Sequence, residues 1–423
     1  MRPIRFTIAV AAAGVLLAAT ACGGGGNAAS SSQPGNSLEV FSWWTSGSED
    51  AALKELINGF QTANPGVNVV NGAVAGGGGG NAQAVLQTRL QGGNPPDTWQ
   101  THPGAAIGQY IDGGIVTDLS SVYQQDGLDL VVPKALVDAM SRDGKQYGVA
   151  TGAHRGNVLF YNKKVLAQAG IEPGKDYPPD RFAADLSTLK AKGVKPICLG
   201  GKDSFAAPEL FENTLLGVLG PDAWNALTTG KLAWDDPQVK HAAQVFGTEL
   251  GYVDPDFTAL TWDQATKRLA DGQCAFESIG DWAYGELIKD GVHEGTDFGY
   301  VPHPGSAGSF VLVVDTFVVA QNAPHADLAK KWASAISSKA VQLAFNKAKG
   351  STPVRSDVDI SSLPPYQQEA AHSFRGDKLV QSIAHGEAMN PQFQQAFYDA
   401  VTQFIQTRNA DSFTRALANA AKS

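Results

Sequence analysis

A chain of 423 residues that is 43% hydrophobic and 17% charged is too apolar and too weakly charged to be disordered. It is also too long for one small core, so two domains, or three, are expected. With 32 Lys and Arg against 41 Asp and Glu the formal charge is −9. No basic patch of the kind that grips a phosphate backbone is visible, which argues against nucleic acid as a partner.

Arg2 and Arg5 precede an apolar run, Ile8 to Ala19, of signal-peptide length and too short to span a membrane. The run ends in Ala19-Thr20-Ala21-Cys22. Small residues before a cysteine suit a signal peptidase and resemble the lipobox of bacterial lipoproteins, with Ala19 where Leu is commoner. Residues 1–21 are therefore expected to be a signal peptide and Cys22 a lipidation site. Residues 22–37, Cys22 followed by four glycines and then Asn, Ala, Ser, Gln, Pro and Gly, read as a flexible tether reaching on the order of 20 Å. An acylated cysteine on that tether would hold the body at the membrane through lipid alone. Plain secretion with cleavage nearby is the alternative. No later segment is apolar over about 18 residues, so the mature chain is expected to be soluble.

Leu38 to Trp43 reads as an opening strand, and Ala52, Leu53, Leu56, Ile57 and Phe60 then recur at helical spacing. Asn64-Pro65-Gly66 stops that helix, and Val67 to Val70 reads as a second strand. The glycine run Gly76 to Gly80 reads as a turn into a helix carrying Val85, Leu86 and Leu90. Strand, helix, strand, helix is the rhythm of an α/β domain with a largely parallel sheet. It recurs with a strand at Val158 to Tyr161, a helix at Lys164 to Ala169, and strands at Val194 to Gly200 and Val311 to Val314. Phe393, Ala396, Phe397, Ala400, Val401, Phe404 and Ile405 make an apolar stripe. With Gln, Asp and Thr opposite it, that helix packs on a core rather than on a membrane. Two α/β lobes without a long linker imply a cleft at their junction, where ligands bind outside the carboxyl ends of strands.

Enzyme motifs are largely absent. There is no G-x-S-x-G elbow, and no Lys-Ser or Lys-Thr follows the glycine run as in a phosphate loop. The eight histidines are scattered, with no H-E-x-x-H and no Cys/His pairs at metal spacing. Neither a metal nor a cofactor is expected. Cys198 and Cys274 would face an oxidising compartment after export, either as a disulfide or as two buried thiols. An opposed carboxylate pair, as in a glycosidase, stays open as an alternative.

The distinctive feature is aromatic. Trp43-Trp44 directly follows the first strand, while Trp262 and Trp282 fall in Asp- and Gly-containing loops. Tryptophan has an apolar face and one N–H donor, which suits a pyranose with apolar C–H faces and a rim of hydroxyls. Asp315 interrupts the apolar run at Val314, where an unpaired carboxylate would be costly. It needs structural N–H groups or ligand hydroxyls as partners. Gln100, His102, Lys349 and His385 add the amide, cation and imidazole groups that orient hydroxyls.

Many stretches, in consistent order from Leu38 to about Asn409, match one family. They include Glu39-Val40-Phe41-Ser42-Trp43-Trp44, Pro95-Pro96-Asp97-Thr98, His154-Arg155-Gly156-Asn157-Val158, Gly280-Asp281-Trp282-Ala283 and Lys349-Gly350-Ser351. The chain resembles the extracellular solute-binding proteins of bacterial ABC sugar importers (family 1 solute-binding lipoproteins), specifically their glucose/mannose-binding branch. That resemblance implies a two-lobed α/β, periplasmic-binding-protein-like (Venus flytrap) fold with a multi-crossing hinge. Residues 38–150 plus 310–353 would form the N-terminal lobe and residues 151–309 plus 354–423 the C-terminal lobe. Crossings would lie near Gly148 to Gly156, Val301 to Val311, and Ser351 to Ser356.

The resemblance also implies ligand contacts at Trp43, Trp44, Glu49, Gln100, His102, Trp262, Trp282, Asp315, Lys349 and His385. His154, Arg155 and Asn157 would sit at the hinge or touch ligand. A monomer that binds a monosaccharide, closes, and docks on membrane permease subunits is the implied function, with no catalysis. A disaccharide receptor, or a secreted carbohydrate-active enzyme, is the alternative.

Overall fold

Alternation of side chains puts Leu38 and Val40 on the buried face of the first strand, β1 (Ser37–Phe41), while Glu39 between them is held by Arg89 at 2.6 Å. The structure, a computed structural model, describes residues 36–76 and 79–422. The expected leader, Cys22 and nearly all of the tether lie outside the described residues, as do Gly77 and Gly78. The first helix, Gly47–Ala63, buries Ala52, Leu53, Leu56 and Phe60. It stops at Asn64, whose amide donates to the Phe60 carbonyl at 3.0 Å. The next strands are β2 (Asn68–Asn71) and β3 (Thr98–Thr101), then a short hairpin of β4 (Ser141–Arg142) and β5 (Lys145–Gln146), then β6 (Gly148–Arg155). After these come β7 (Val158–Asn162), β8 (Ile197–Cys198), β9 (Phe276–Ile279), β10 (Phe298–Pro302), β11 (Ser309–Val319) and β12 (Lys378–Gln381).

Beside the β4-β5 hairpin, the described residues form two sheets, the smaller of which is packed by a separate apolar cluster on each face. The larger runs β12-β11-β3-β1-β2, with β6 also paired to β11, and the smaller runs β10-β7-β9-β8. Both are mixed rather than largely parallel. β1 pairs in parallel with β2 and β3, but β11 lies antiparallel to β3 and β6, and β7 antiparallel to β9 and β10. The chain re-enters the first lobe through β11 from the opposite end, and a return of that kind is antiparallel. The strand expected over Val194 to Gly200 shrinks to two residues. Pro196 lacks an N–H for the ladder, and Gly200 accommodates the close approach of Trp262. The helix at the C-terminal stripe spans Pro391–Thr407 and buries Phe393, Phe397, Ala400, Val401 and Phe404.

β11 is shared. Every one of its eleven residues is buried. Val311 and Val313 belong to the core of the second lobe, whereas Phe310, Leu312 and Val314 belong to that of the first. Residues two apart share a face, so one face of this strand serves each lobe. β12 pairs with its first half, Ser309 to Leu312, and extends the larger sheet toward the second lobe. Arg155 and Asn157 bind the crossings together. Asn157 donates to the Ser306 hydroxyl at 2.8 Å and accepts from the Val311 N–H at 2.9 Å, while Arg155 donates to the Ser309 carbonyl at 3.1 Å. The chain therefore crosses between two α/β lobes along β6 and β11.

Cys198 and Cys274 are joined as a disulfide, with Cα atoms 5.8 Å apart, a separation that such a bond spans without backbone movement. Among the described residues no helix is long and apolar enough to cross a membrane.

The second lobe also buries carboxyl groups. Glu277 is 1% exposed, and burial pushes its carboxyl up to about 8, partly offset by the Thr266 hydroxyl. The folded chain thus holds a proton there that the unfolded chain gives up near the ordinary carboxylate value. The associated stability is lost as pH rises from that value through the folded one. Glu277→Gln should therefore melt above the parent at about pH 9 and close to it at about pH 5. Thermal melts across that window check the difference.

Candidate functional site

Asp315 sits where the odd-numbered face of β11 leaves the second lobe's core after Val313. There the register against β6 shifts between Asp315 and Thr316, an irregularity of the kind that re-aims a side chain. The carboxylate is 3% exposed and takes its partners from side chains rather than from backbone N–H groups. Gln100 on β3 donates to Oδ1 at 3.1 Å, and His154 on β6 places Nε2 3.1 Å from Oδ2. Burial alone would raise this carboxyl, but Lys349 and the His154 contact bring it down to about 2.

His154 is itself clamped, for its Nδ1 lies 2.5 Å from Asp281 Oδ1. Burial and Lys349 push its pKa down, yet the two carboxylates outweigh them and hold it above the ordinary imidazole range. With both ring nitrogens facing carboxylates, the imidazolium is the favoured form of the ring. Asp281 is anchored in turn by the Arg155 N–H at 3.1 Å and the Tyr366 hydroxyl at 3.0 Å.

The first-lobe wall is the tryptophan pair. Trp44 is fully buried, packed 5.4 Å from Phe345 and 5.8 Å from Phe317. Lys349, the last residue of the helix Lys339–Lys349, carries its ammonium 5.4 Å above the Trp44 ring and 6.0 Å from that of Trp282. It also pairs with Glu49 at 2.9 Å. Burial raises the Glu49 carboxyl, and Lys349 opposes that rise. Gly350 closes the helix in a left-handed conformation, φ 92°, where a Cβ would stand 2.5 Å from the Asp281 carbonyl. A glycine is what lets the Lys349 end seat directly against the Trp282 helix.

The second lobe supplies the opposite wall. Trp262 and Trp282 open the helices Trp262–Ala270 and Trp282–Lys289 rather than lying in loops. Thr261 and Gln264 form a capping box on the first of these. A Cβ at Gly280 would collide with the Trp282 ring, so glycine leaves room for it. His385 follows β12, on a turn fixed by the buried Glu212, whose Oε2 accepts the Ile383 and Ala384 N–H groups at 2.6 and 2.8 Å. The lobes also touch beside the chamber. Glu286 of the second lobe accepts the Ser48 N–H at 2.9 Å, so its carboxylate caps the N-terminus of the helix bearing Glu49.

Together these residues line a chamber between the lobes with about 420 Å³ of space not filled by protein atoms, part of it open to solvent. Trp43, Trp44, Glu49, His102, Trp262, Trp282, Asp315, Lys349 and His385 line it, and so does His154. Gln100 stands behind Asp315, and Arg155 and Asn157 tie the crossings away from the chamber. Phe205 and Val313 also line it and escaped the sequence reading. Val313 shares a strand face with Asp315, a signal that alternation along β11 carries. Phe205 precedes the helix Ala206–Thr228 and carries no local mark. Asp281 stood inside a matched motif, but only its contact with His154 reveals its part. Among the described residues no cluster of His, Cys, Asp or Glu could hold a metal.

The three imidazoles here should differ in charge. His102 and His385 are pushed below the ordinary range, chiefly by burial, while His154 is raised. Any stability drawn from His154 is present below the ordinary imidazole value and lost as pH rises through the folded one. Histidine-selective ¹⁵N spectra at about pH 7 should show His154 protonated and His102 and His385 neutral. Asp281→Asn should return His154 to the neutral form.

The model of the bacterial extracellular solute-binding protein family matches residues 44–343. An uncharacterized ABC transporter extracellular-binding protein of Pyrococcus horikoshii is 33% identical over 392 residues, covering 92% of this chain and 88% of that protein. A probable sugar-binding periplasmic protein of Brucella melitensis is 31% identical over 380 residues, covering 88% of each. Among solved structures, that of the bacterial solute receptor AcbH superposes with a TM-score of 0.80 at 19% identity, over 92% of this chain and 99% of that one. The two-lobed fold is thus of the periplasmic-binding-protein type, and the chain belongs to the bacterial extracellular solute-binding protein family.

Proposed function

We propose that this chain is the substrate-binding lipoprotein of an ABC importer and captures a monosaccharide of the glucose or mannose type. The observation that carries the reading is the chamber itself. Tryptophans from both lobes face each other across it, around a carboxylate and an ammonium already compensated by fixed partners. Aromatic faces stack on the apolar faces of a sugar. Asp315, Glu49, Lys349 and the free imidazole nitrogens meet its hydroxyls. Because the charges inside are paired, a neutral ligand fits better than an ion. The description of the Brucella relative as a probable sugar-binding protein supports the same class.

Residues 38–150 with 310–353 act as one lobe, and residues 151–309 with 354–423 as the other. The lobes close on the sugar about β6 and β11, and the closed monomer is what the permease subunits recognise. A hexose of about 12 heavy atoms can reach a micromolar Kd at ordinary ligand efficiencies.

Calorimetry and tryptophan fluorescence with glucose, mannose and disaccharides test this. Saturable binding with the sugar recovered unchanged is expected, and conversion to product would overturn the assignment. Trp282→Ala and Asp315→Ala should each weaken binding by about 100-fold or more, with melting still cooperative. Cys22 is proposed to carry the lipid that keeps the protein at the outer face of the cell membrane. Cys22→Ala should release it into the medium, as fractionation of producing cells would reveal.

A further inference from the structure

The chamber ends at two imidazoles, one from each lobe. His102 follows β3 and His385 follows β12; their rings meet edge to face with centroids 5.6 Å apart. Beyond them lies a second interlobe groove, roomier than the chamber and open to solvent. Among the described residues, His102 and His385 alone line both spaces.

Each ring is braced within its own lobe. The Nδ1 of His102 lies 2.8 Å from the Val314 carbonyl, and its ring packs 5.4 Å from Trp43. His385 has Nδ1 3.0 Å from the Ser382 hydroxyl and is backed by Trp282 and Phe205 at 5.2 and 5.6 Å. Burial favours the neutral form of both, so the rings meet without charge repulsion. The groove behind them is walled by amides, including Gln83, Gln87, Gln109 and Gln395, with one carboxylate, Asp399, and no Lys or Arg. Such a surface would accept hydroxyl groups, yet the imidazoles stand between it and the chamber.

We propose that the His102–His385 pair is a partition that sets ligand length: it ends the site after one sugar ring and closes off a second sugar-compatible groove. This inference rests on the sugar-receptor reading and deepens it by naming the residues that hold the site to a single ring. Because each lobe contributes one imidazole, closure assembles the partition. A second ring linked through that side of the first would occupy the place where the imidazoles meet and hold the lobes apart. The longer sugar would then lose the contacts made only in the closed state, so discrimination comes from a steric obstacle as well as from attraction.

The test compares ligand lengths on the full mature protein by calorimetry, with glucose, mannose, maltose and cellobiose as probes. The unaltered protein should bind its better monosaccharide at least about 100-fold more tightly than either disaccharide. His385→Ala should weaken that monosaccharide by about 10-fold, as expected for one lost polar contact, and strengthen at least one disaccharide by about 10-fold or more. Adding Gln109→Trp to fill the groove should cancel the disaccharide gain and leave monosaccharide binding as in His385→Ala alone. If His385→Ala fails to melt cooperatively, His102→Ala serves in its place, and the length comparison on the unaltered protein stands without any variant. Equal affinity for mono- and disaccharides would overturn the partition and leave the sugar receptor intact. An equal loss for both lengths in His385→Ala would do the same, reducing the pair to ordinary ligand contacts. Failure to bind any sugar of either length would refute the receptor reading itself.

Discussion

A carboxylate taken out of water in the middle of a fully buried strand sets the terms for everything around it. Leaving Asp315 uncompensated would cost several kcal/mol, of order the margin by which most domains stay folded. Its partners come from separate parts of the chain: Gln100 on β3, His154 on β6 and Lys349 at the end of a helix. Asp281 then balances His154, and Glu49 balances Lys349. Each partner is itself partnered. The geometry of the site therefore follows from satisfying one buried charge, and the chamber inherits a set of polar groups whose positions are settled before any ligand arrives.

The strand that carries this carboxylate also explains the architecture. β11 offers Val311 and Val313 to one core and Phe310, Leu312 and Val314 to the other. Asp315 is the next residue on the Val313 face, and Phe317, two further on, packs in the first core. The carboxylate thus occupies the interval in which that face belongs to neither core. Such an interval is where a strand can present a polar side chain to a cleft without spoiling either interior.

How much of this was legible in the sequence depended on distance along the chain. The α/β rhythm, the helices with regular apolar spacing, and the tryptophan pair were visible because their signals lie within a few residues. Asp315 stood out because a lone acid in an apolar run has few physical explanations. The mixed sheet was not visible, since antiparallel return of β11 onto β3 and β6 pairs residues more than 150 positions apart. Asp281 and Phe205 were missed for the same reason: their significance lies in neighbours that only folding supplies. Trp262 and Trp282 looked like loop residues because Gly and Asp precede or follow them, whereas those residues mark the starts of helices. The error changed their secondary structure but not their place in the wall.

The sharing of β11 has a mechanical side. A strand built into two cores cannot slide relative to either, so motion between the lobes must appear as twist along its length and along β6 beside it. The register shift beside Asp315 is the natural place for such twist to concentrate. In the proposed closure, the group that would touch a bound ligand therefore sits on the axle about which the lobes would turn. If the lobes close in that way, occupancy and lobe angle would be two readings of a single coordinate, and a partner that senses only the angle would be informed of the ligand without ever meeting it.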